Sequence, residues 1–160
     1  MTSQNARWAE GMEWTMRYLN KHGLKKGSSF EVRVKYADDV EFKGKVGNKI
    51  ERHADLQVCP NGREVGGCTY FEFKSVKEVP PNNFNEQFVK DLLNEDVKKL
   101  SQIKWIFDRK KISKKDLEAL KNRIKTMDIP EKAAKNVGLE TVDRLKAEIE
   151  KHFYEIFQVQ

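Results

Sequence analysis

Apolar and polar residues alternate along two runs of the chain that flank a segment rich in turn-forming residues. The first run is HADLQV, at positions 53–58, and the second is TYFEFKSV, at positions 69–76. A Pro-Asn-Gly sequence and a Gly-Gly pair lie between them. Two alternating runs around such a segment predict a β-hairpin.

The remaining elements follow from the same kind of pattern. Apolar residues at helical spacing predict helices, and strict alternation or a short buried run predicts strands. The expected strands are residues 29–36, 40–46, 50–58 and 104–108, besides the second strand of the hairpin. The expected helices are residues 5–22, 84–100, 113–127, a short helix from Pro130 to Gly138, and 139–157. The pattern therefore predicts an α/β (α+β) fold.

One face of the predicted hairpin carries charge, because side chains alternate between the two faces of a strand. If the aliphatic residues line the core, Asp55 emerges on the other face together with Glu72 and Lys74. A tight Asn-Gly turn sets Asp55 opposite Cys68, whereas a longer loop sets it opposite Glu72, with Cβ atoms about 5 Å apart. The two registers differ by an even number of residues, so the charged residues share a face in both. We favour the longer loop, because it brings the two carboxylates within reach of one cation.

Two carboxylates on neighbouring strands are oxygen ligands of the kind that Mg²⁺ or Mn²⁺ prefers. A lysine on the same face can orient a water molecule or stabilise developing negative charge. The trio therefore fits metal-assisted phosphodiester hydrolysis. The alternative is that these charges form the solvated face of an antiparallel sheet. The same Glu-x-Lys pattern recurs at Glu41-Phe42-Lys43, where no upstream acid lies at hairpin distance.

An acid-bearing strand, a hairpin and a hydrophobic strand with Glu-x-Lys resemble the PD-(D/E)xK nuclease superfamily. The matching residues are Asp55 in HADLQV, and Glu72 with Lys74 in YFEFKSV. The residue before Asp55 is alanine, where the superfamily often has proline. The resemblance implies a restriction-endonuclease-like core in residues 1–110, a mixed sheet with a central hairpin flanked by helices. It also implies that residues 111–160 form a C-terminal helical extension packed on that core.

The resemblance also implies roles for individual residues. Asp55 and Glu72 would bind Mg²⁺, with Mn²⁺ or Zn²⁺ as alternatives, and Lys74 would position the attacking water. Glu13, in the first helix, looks like the further glutamate that the superfamily often adds to the site, and Glu10 is its substitute.

Three further residues are candidates for auxiliary roles. In related nucleases, polar residues on the helix after the Glu-x-Lys strand often face the active site. Gln87 and Lys90 occupy that helix and are candidates for contacts to phosphate or to metal-bound water. His53 shares the face of the acids and is a candidate for phosphate binding or proton transfer.

The chain carries a net charge of +6, and this charge is concentrated in one segment. Residues 98–125 contain eleven basic and three acidic residues. Such a stretch is typical of a protein that binds the phosphate backbone of nucleic acid. We expect Lys104, Lys110 and Lys111, together with Lys90, to contact nucleic acid. The alternative is an ordinary solvated, lysine-rich helix face.

The small size, the phrasing IERHADLQV…YFEFKSV and the segment LSQIKWIFD resemble more narrowly the C-terminal toxin domains of bacterial polymorphic and contact-dependent growth inhibition systems. This resemblance implies an endonuclease acting on DNA or RNA, such as tRNA, and a cognate immunity protein as partner. It also implies delivery into the cytoplasm of a target bacterium. Two alternatives remain open, a non-catalytic basic module that binds nucleic acid and a protein-interaction module.

Two further expectations concern the location of the protein and its redox state. The sequence has no apolar run of about 18 residues, so we expect no transmembrane segment. It also lacks the apolar region of a signal peptide, so without a delivery system we expect a cytoplasmic protein. In the favoured register Cys59 faces Cys68, which makes a disulfide feasible. We expect two free thiols, as in most cytosolic proteins.

Overall fold

The helices and strands of the protein follow the predicted order. The structure, a computed structural model, describes residues 3–23 and 26–160, with side chains from residue 13 onwards. Its helices are α1 (Ser3–His22), α2 (Phe84–Leu92), α3 (Lys114–Thr126), α4 (Glu131–Asn136), α5 (Val142–Lys151) and α6 (Phe153–Ile156). Its strands are β1 (Ser28–Arg33), β2 (Glu41–Phe42), β3 (Lys45–Val46), β4 (His53–Val58), β5 (Thr69–Lys74), β6 (Ile103–Phe107) and β7 (Phe157–Val159). The prediction for the side chain of Glu10 lies outside the described residues.

Five strands form one mixed sheet in the order β1-β4-β5-β6-β7. β1, β4 and β5 are antiparallel to one another, whereas β5, β6 and β7 run parallel. The parallel step from β5 to β6 needs a long crossover, and α2 lies within it. The protein is therefore a mixed α+β fold with a five-stranded sheet flanked by helices.

The central hairpin has the register with the longer loop. Leu56 pairs with Phe71 across β4 and β5, and the same register sets Asp55 opposite Glu72. The two acidic residues therefore belong to neighbouring strands at the centre of the sheet, as the preferred register predicts.

The same register sets Cys59 opposite Cys68, and the two cysteines form a disulfide. The expectation of two free thiols is therefore wrong for this structure. Residues directly opposite each other in an antiparallel pair are already close enough to be bridged. The bond closes the loop between β4 and β5.

Different helices cover the two faces of the sheet. On one face, α1 packs Trp14 and Tyr18 against Phe73, with ring centroids 5.7 and 5.1 Å away. Leu19 of the same helix belongs to a small apolar cluster with Leu56. The larger cluster, to which α2 to α6 contribute, includes residues of the opposite face. Because Glu72 and Lys74 alternate with Phe73, they point towards α2 and away from α1.

Four aromatic rings join α2 to the sheet. Phe84 and Phe88 of α2 lie against Trp105 of β6 and Phe157 of β7, with ring centroids 5.1 to 6.4 Å apart. All four side chains are 0–1% exposed. Burying a phenylalanine side chain stabilises a fold by roughly 1.5–3 kcal/mol. This cluster fixes α2 above the charged face of the hairpin.

Residues 40–46 form two short strands instead of the single strand that their alternation predicts. β2 and β3 pair with each other in a separate two-stranded sheet. Between them, Lys43 and Gly44 have φ angles of 50° and 81°. Positive φ at both central residues is what a type I′ hairpin turn requires. Gly44 adopts it without steric cost, so the run folds back on itself.

Two helices end earlier than their apolar stripes predict. α2 ends at Leu92 and not near residue 100, because the Asn94 side chain accepts the backbone N–H of Asp96 at 2.9 Å and the chain turns. The predicted helix 139–157 divides into α5 and α6, and its last residue begins β7. Segment 111–160 therefore adds a strand to the sheet, and the boundary at residue 110 stays a prediction.

The start of α3 confirms the predicted capping box. The backbone N–H of Asp116 donates to Ser113 Oγ at 3.4 Å, and the Asp116 carboxylate accepts the backbone N–H of Ser113 at 2.7 Å. These two bonds satisfy backbone N–H groups at the helix start.

None of the helices formed by the described residues combines the length and the apolar character that crossing a membrane requires.

Candidate functional site

The charged face of the hairpin holds a compact cluster that includes the three predicted residues. Lys74 Nζ lies 3.2 Å from Glu72 Oε1. Asp55 Oδ2 accepts the backbone N–H of Phe73, the residue between them, at 2.8 Å. Glu72 is only 7% exposed. The interpretation of these residues as a solvated sheet face is therefore wrong.

The second Glu-x-Lys sequence has a different environment. Glu41 and Lys43 are both exposed, and Lys43 makes only a 3.8 Å ion pair with Glu86. The identical pattern therefore gives a surface pair in one place and a buried pair in the other. This makes the surface pair a matched control for experiments on Glu72 and Lys74.

Arg52 joins Glu72 to a third carboxylate that the sequence analysis missed. One terminal nitrogen of Arg52 donates to Glu72 Oε2 at 3.0 Å. Arg52 also donates to both oxygens of Asp91 on α2, at 2.9 and 3.2 Å. Asp91 accepts a further hydrogen bond from Trp105 Nε1 at 3.0 Å. Two-point pairing of this kind fixes the plane of the guanidinium and its distance from both acids.

Burial raises the pKa of both carboxyl groups on the hairpin. The pKa of Glu72 rises from 4.5 to about 7, because burial disfavours the charged form more than Arg52 and Lys74 favour it. The pKa of Asp55 is raised by the same cause and is held down in part by the Phe73 N–H and by Lys74. Acidic groups with pKa values displaced by burial and by specific charges are typical of functional sites.

α2 presents a row of polar side chains to β5. Gln87 Oε1 accepts a hydrogen bond from Lys74 Nζ at 3.1 Å. One turn later, Asp91 reaches Glu72 through Arg52. These positions are four residues apart and therefore lie on one side of the helix. Gln87, predicted as an auxiliary residue, thus contacts the predicted catalytic lysine.

Glu13 and His53 make no contact with the cluster among the contacts recorded for the described residues. Glu13 is exposed on α1, the helix that packs on the opposite face of the sheet through Phe73. His53 is exposed at the start of β4, two residues before Asp55 on the same strand face. The roles proposed for Glu13 and His53 stay predictions.

Lys90 and Lys104 bind main-chain carbonyl groups. Lys90 Nζ donates to the carbonyl of Glu51 at 3.0 Å, close to Arg52 in sequence. Lys104 Nζ donates to the carbonyl of Glu155 at 3.0 Å, and burial lowers its pKa. Because Lys104 alternates with Trp105 along β6, it faces away from Glu72, and the two residues lie on opposite sides of the sheet.

Lys110 and Lys111 follow the end of β6. Lys111 Nζ donates to the carbonyl of Ser75, the residue after Lys74, at 3.4 Å. Lys110 lines a cleft of about 280 Å³ beside α1. The rings of Trp14 and Tyr18 line the same cleft. Its other basic lining residues are Arg17, Lys21 and Arg109. Aromatic faces beside basic groups are typical of surfaces that bind single-stranded nucleic acid.

The cluster offers a divalent cation two carboxylates. Among the described residues, no group of three or more His, Cys, Asp or Glu side chains is arranged to bind one ion. Mg²⁺ commonly uses only one or two protein carboxylates and keeps several waters. An ionised carboxylate has about four acceptor positions, and the bonds from Arg52, Lys74 and Phe73 use one or two on each acid. Asp55 and Glu72 therefore retain acceptor capacity for a metal.

Asp91 had a sequence signal that could have identified it, whereas Arg52 had little. Asp91 falls within the apolar stripe of α2, directly between buried residues and three positions after Phe88. A carboxylate at such a position must find a buried partner. Arg52 lies at the start of a strand in a chain rich in basic residues, where its burial is not apparent from the pattern.

Comparison with protein-family models, with curated proteins and with solved structures gives no match.

Proposed function

We propose that this protein is a divalent-metal-dependent nuclease that hydrolyses phosphodiester bonds of DNA or RNA. The observation that supports the proposal is the buried pair of carboxylates on neighbouring strands, Asp55 and Glu72, with Lys74 3.2 Å from Glu72. The pKa of Glu72 is raised by burial, so a nearby divalent cation would stabilise its charged form.

Each residue of the cluster has a chemical role in this proposal. Asp55 and Glu72 bind the cation, with the backbone carbonyl of Phe73 as a further ligand by analogy with the superfamily. A bound divalent cation lowers the pKa of a water ligand and offsets the charge that develops on the phosphoryl group. Lys74, fixed by its hydrogen bond to Gln87, orients the attacking water. Arg52 positions Glu72 and favours its ionised form.

The order of elements supports a restriction-endonuclease-like core for this proposal. A first helix is followed by antiparallel strands, of which the last carries Glu-x-Lys, and then by a helix and a parallel strand. This is the element order implied by the PD-(D/E)xK resemblance. The finer assignment rests on that order and on the placement of Asp55, Glu72 and Lys74.

We place the nuclease in bacterial competition, as the toxin domain of a contact-dependent growth inhibition or polymorphic toxin system. The support is the resemblance of IERHADLQV…YFEFKSV and LSQIKWIFD to such domains. A nuclease of this kind acts in the cytoplasm of the target bacterium and is neutralised by a cognate immunity protein in the cell that makes it. Co-expression with a neighbouring gene product that relieves toxicity would test this part.

The nuclease proposal is tested by incubating the purified protein with plasmid DNA and, separately, with total tRNA. Each reaction contains Mg²⁺, Mn²⁺, Zn²⁺ or EDTA. We expect cleavage of one substrate that requires a divalent metal and is lost in Glu72→Gln and in Lys74→Ala. The matched controls are Glu41→Gln and Lys43→Ala, which alter the exposed Glu-x-Lys pair and should cleave like the unaltered protein.

Two results would contradict the proposed mechanism. Cleavage that persists in EDTA and in both cluster variants would exclude a metal site at these residues. Equal loss of cleavage in the cluster variants and in the surface controls would show that the losses do not report on the cluster.

A non-catalytic module that binds nucleic acid is the second candidate. The observation that favours it is the ion-pair network, in which Arg52 contacts both Glu72 and Asp91 and could serve structure alone. This candidate predicts binding that weakens steeply with salt, because released counterions drive it. It also predicts that Asp55→Ala leaves binding unchanged and that no metal induces cleavage.

A further inference from the structure

A polar cleft lies on the same sheet face as the acid cluster, one row of side chains away. Gln57 follows Asp55 by two residues on β4, and Tyr70 precedes Glu72 by two residues on β5, so all four side chains point to one face. Rows two residues apart on a strand are separated by about 7 Å, a distance that one nucleotide can span. The cleft has a volume of about 720 Å³, and both Gln57 and Tyr70 line it.

A chain of hydrogen bonds fixes the orientation of the Gln57 amide. The Asp96 carboxylate accepts the backbone N–H groups of Gly67 and Cys68 at 2.9 and 3.0 Å. It also accepts the hydroxyl of Tyr70 at 3.0 Å. Because an ionised carboxylate only accepts, the Tyr70 hydroxyl must donate to Asp96. Its oxygen is then the acceptor for Gln57 Nε2, which lies 3.1 Å away.

This chain leaves Gln57 Oε1 as an unused acceptor. Gln57 is 6% exposed, and its Oε1 has no hydrogen-bond partner among the described residues. Buried polar atoms normally have a partner, so an unpaired one in a cleft is itself evidence for a missing ligand. The partner must bring an N–H or O–H donor. Burial also raises the pKa of Tyr70 to about 12, which keeps its hydroxyl protonated and the amide orientation fixed.

The mouth of the cleft carries basic side chains. Lys35, Arg63 and Lys98 line it and are exposed. Two acidic residues, Glu64 and Glu95, lie on the same rim. A buried acceptor with basic groups at the entrance suits a ligand that has a ring N–H at one end and a phosphate at the other. Nucleotides have this form.

We propose that the cleft binds one nucleobase of the nucleic-acid substrate, with Gln57 Oε1 accepting a hydrogen bond from an N–H of the base. The basic groups at the mouth bind the adjoining phosphate. This inference rests on the proposed nuclease function and makes Gln57 a residue that determines base preference. The base then lies one nucleotide away from the phosphodiester bond at Asp55 and Glu72.

The test is a calorimetric titration of the whole protein in EDTA with five probes. The probes are AMP, GMP, CMP, UMP and ribose 5-phosphate, which has the phosphate and lacks the base. We expect at least one nucleotide to bind about tenfold more tightly than ribose 5-phosphate, and Gln57→Met to remove this advantage. The binding of ribose 5-phosphate should not change. Gln158→Met, the same substitution on β7, should bind every probe like the unaltered protein.

A measurement on the unaltered protein guards against loss of folding in Gln57→Met. The side-chain amide resonance of Gln57 should shift on addition of the preferred nucleotide and not on addition of ribose 5-phosphate. The proposal is overturned if no probe binds, if ribose 5-phosphate binds as well as the nucleotides, or if Gln57→Met leaves nucleotide binding unchanged. Cleavage with no nucleotide binding would refute the cleft alone, whereas nucleotide binding with no cleavage would refute the nuclease alone.

Discussion

Replacing Glu72 with glutamine should remove most of the pH dependence that this side chain gives to stability. The pKa of Glu72 is about 7 in the folded protein, compared with its ordinary value of 4.5. The folded chain therefore binds this proton more tightly than the unfolded chain does. The resulting stabilisation is fully present below pH 4.5 and is lost as the pH rises through about 7. Glutamine does not ionise, so the variant lacks this loss.

The size of the effect follows from the two pKa values. At about 1.4 kcal/mol per pKa unit, the difference corresponds to about 3 kcal/mol. Glu72 is 7% exposed, so solvent screening reduces this figure little. Asp55 also titrates with a raised pKa, but it is present in both proteins and largely cancels in the comparison. An effect of this size is a substantial part of a total stability of about 5–15 kcal/mol.

Urea denaturation in EDTA, at pH values from about 4.5 to 8, measures this difference. We expect the free energy of unfolding of Glu72→Gln, relative to that of the unaltered protein, to rise by about 3 kcal/mol across the range. Glu41→Gln, the exposed control, should show no such change. A relative stability of Glu72→Gln that stays constant with pH would refute the argument that burial raises the pKa of Glu72.

Three further predictions concern stability, and urea denaturation at neutral pH checks each. Arg52→Met leaves two buried carboxylates without their shared cation and should lower the free energy of unfolding by about 3–5 kcal/mol; a loss below about 1 kcal/mol would show that the network contributes little. Replacing Cys59 and Cys68 together by serine should cost about 2–3 kcal/mol, and no difference would indicate that the bond does not form. Ser113→Ala removes a helix cap and should cost about 1 kcal/mol, whereas a neutral result would contradict the capping box.

The hairpin and its charged face could be predicted because both depend on local patterns. Alternation of side chains assigns Asp55, Glu72 and Lys74 to one face in either register, so the uncertainty about the loop did not affect the result. The capping box at Ser113 was predictable for the same reason, since its two partners are three residues apart.

The features that the sequence did not predict depend on distant or concealed contacts. Arg52 and Asp91 are 39 residues apart and meet only because α2 lies above the hairpin. β7 was assigned to a helix because the apolar stripe of the last helix continues into it. Gly44 concealed a second hairpin inside what looked like one strand. In each case the pattern was compatible with two structures, and tertiary packing or a positive φ angle selected between them.

The measurement that tests the central claim most directly is the rate of nucleic-acid cleavage as a function of Mg²⁺ concentration. It compares three proteins: the unaltered chain, Glu72→Gln and Glu41→Gln. We predict that the unaltered chain and Glu41→Gln show the same saturable dependence on Mg²⁺, with no cleavage in EDTA, and that Glu72→Gln shows no cleavage at any Mg²⁺ concentration. A Glu72→Gln protein that cleaves like the unaltered chain, or cleavage that does not depend on Mg²⁺, would contradict the claim that the buried carboxylates bind a catalytic metal.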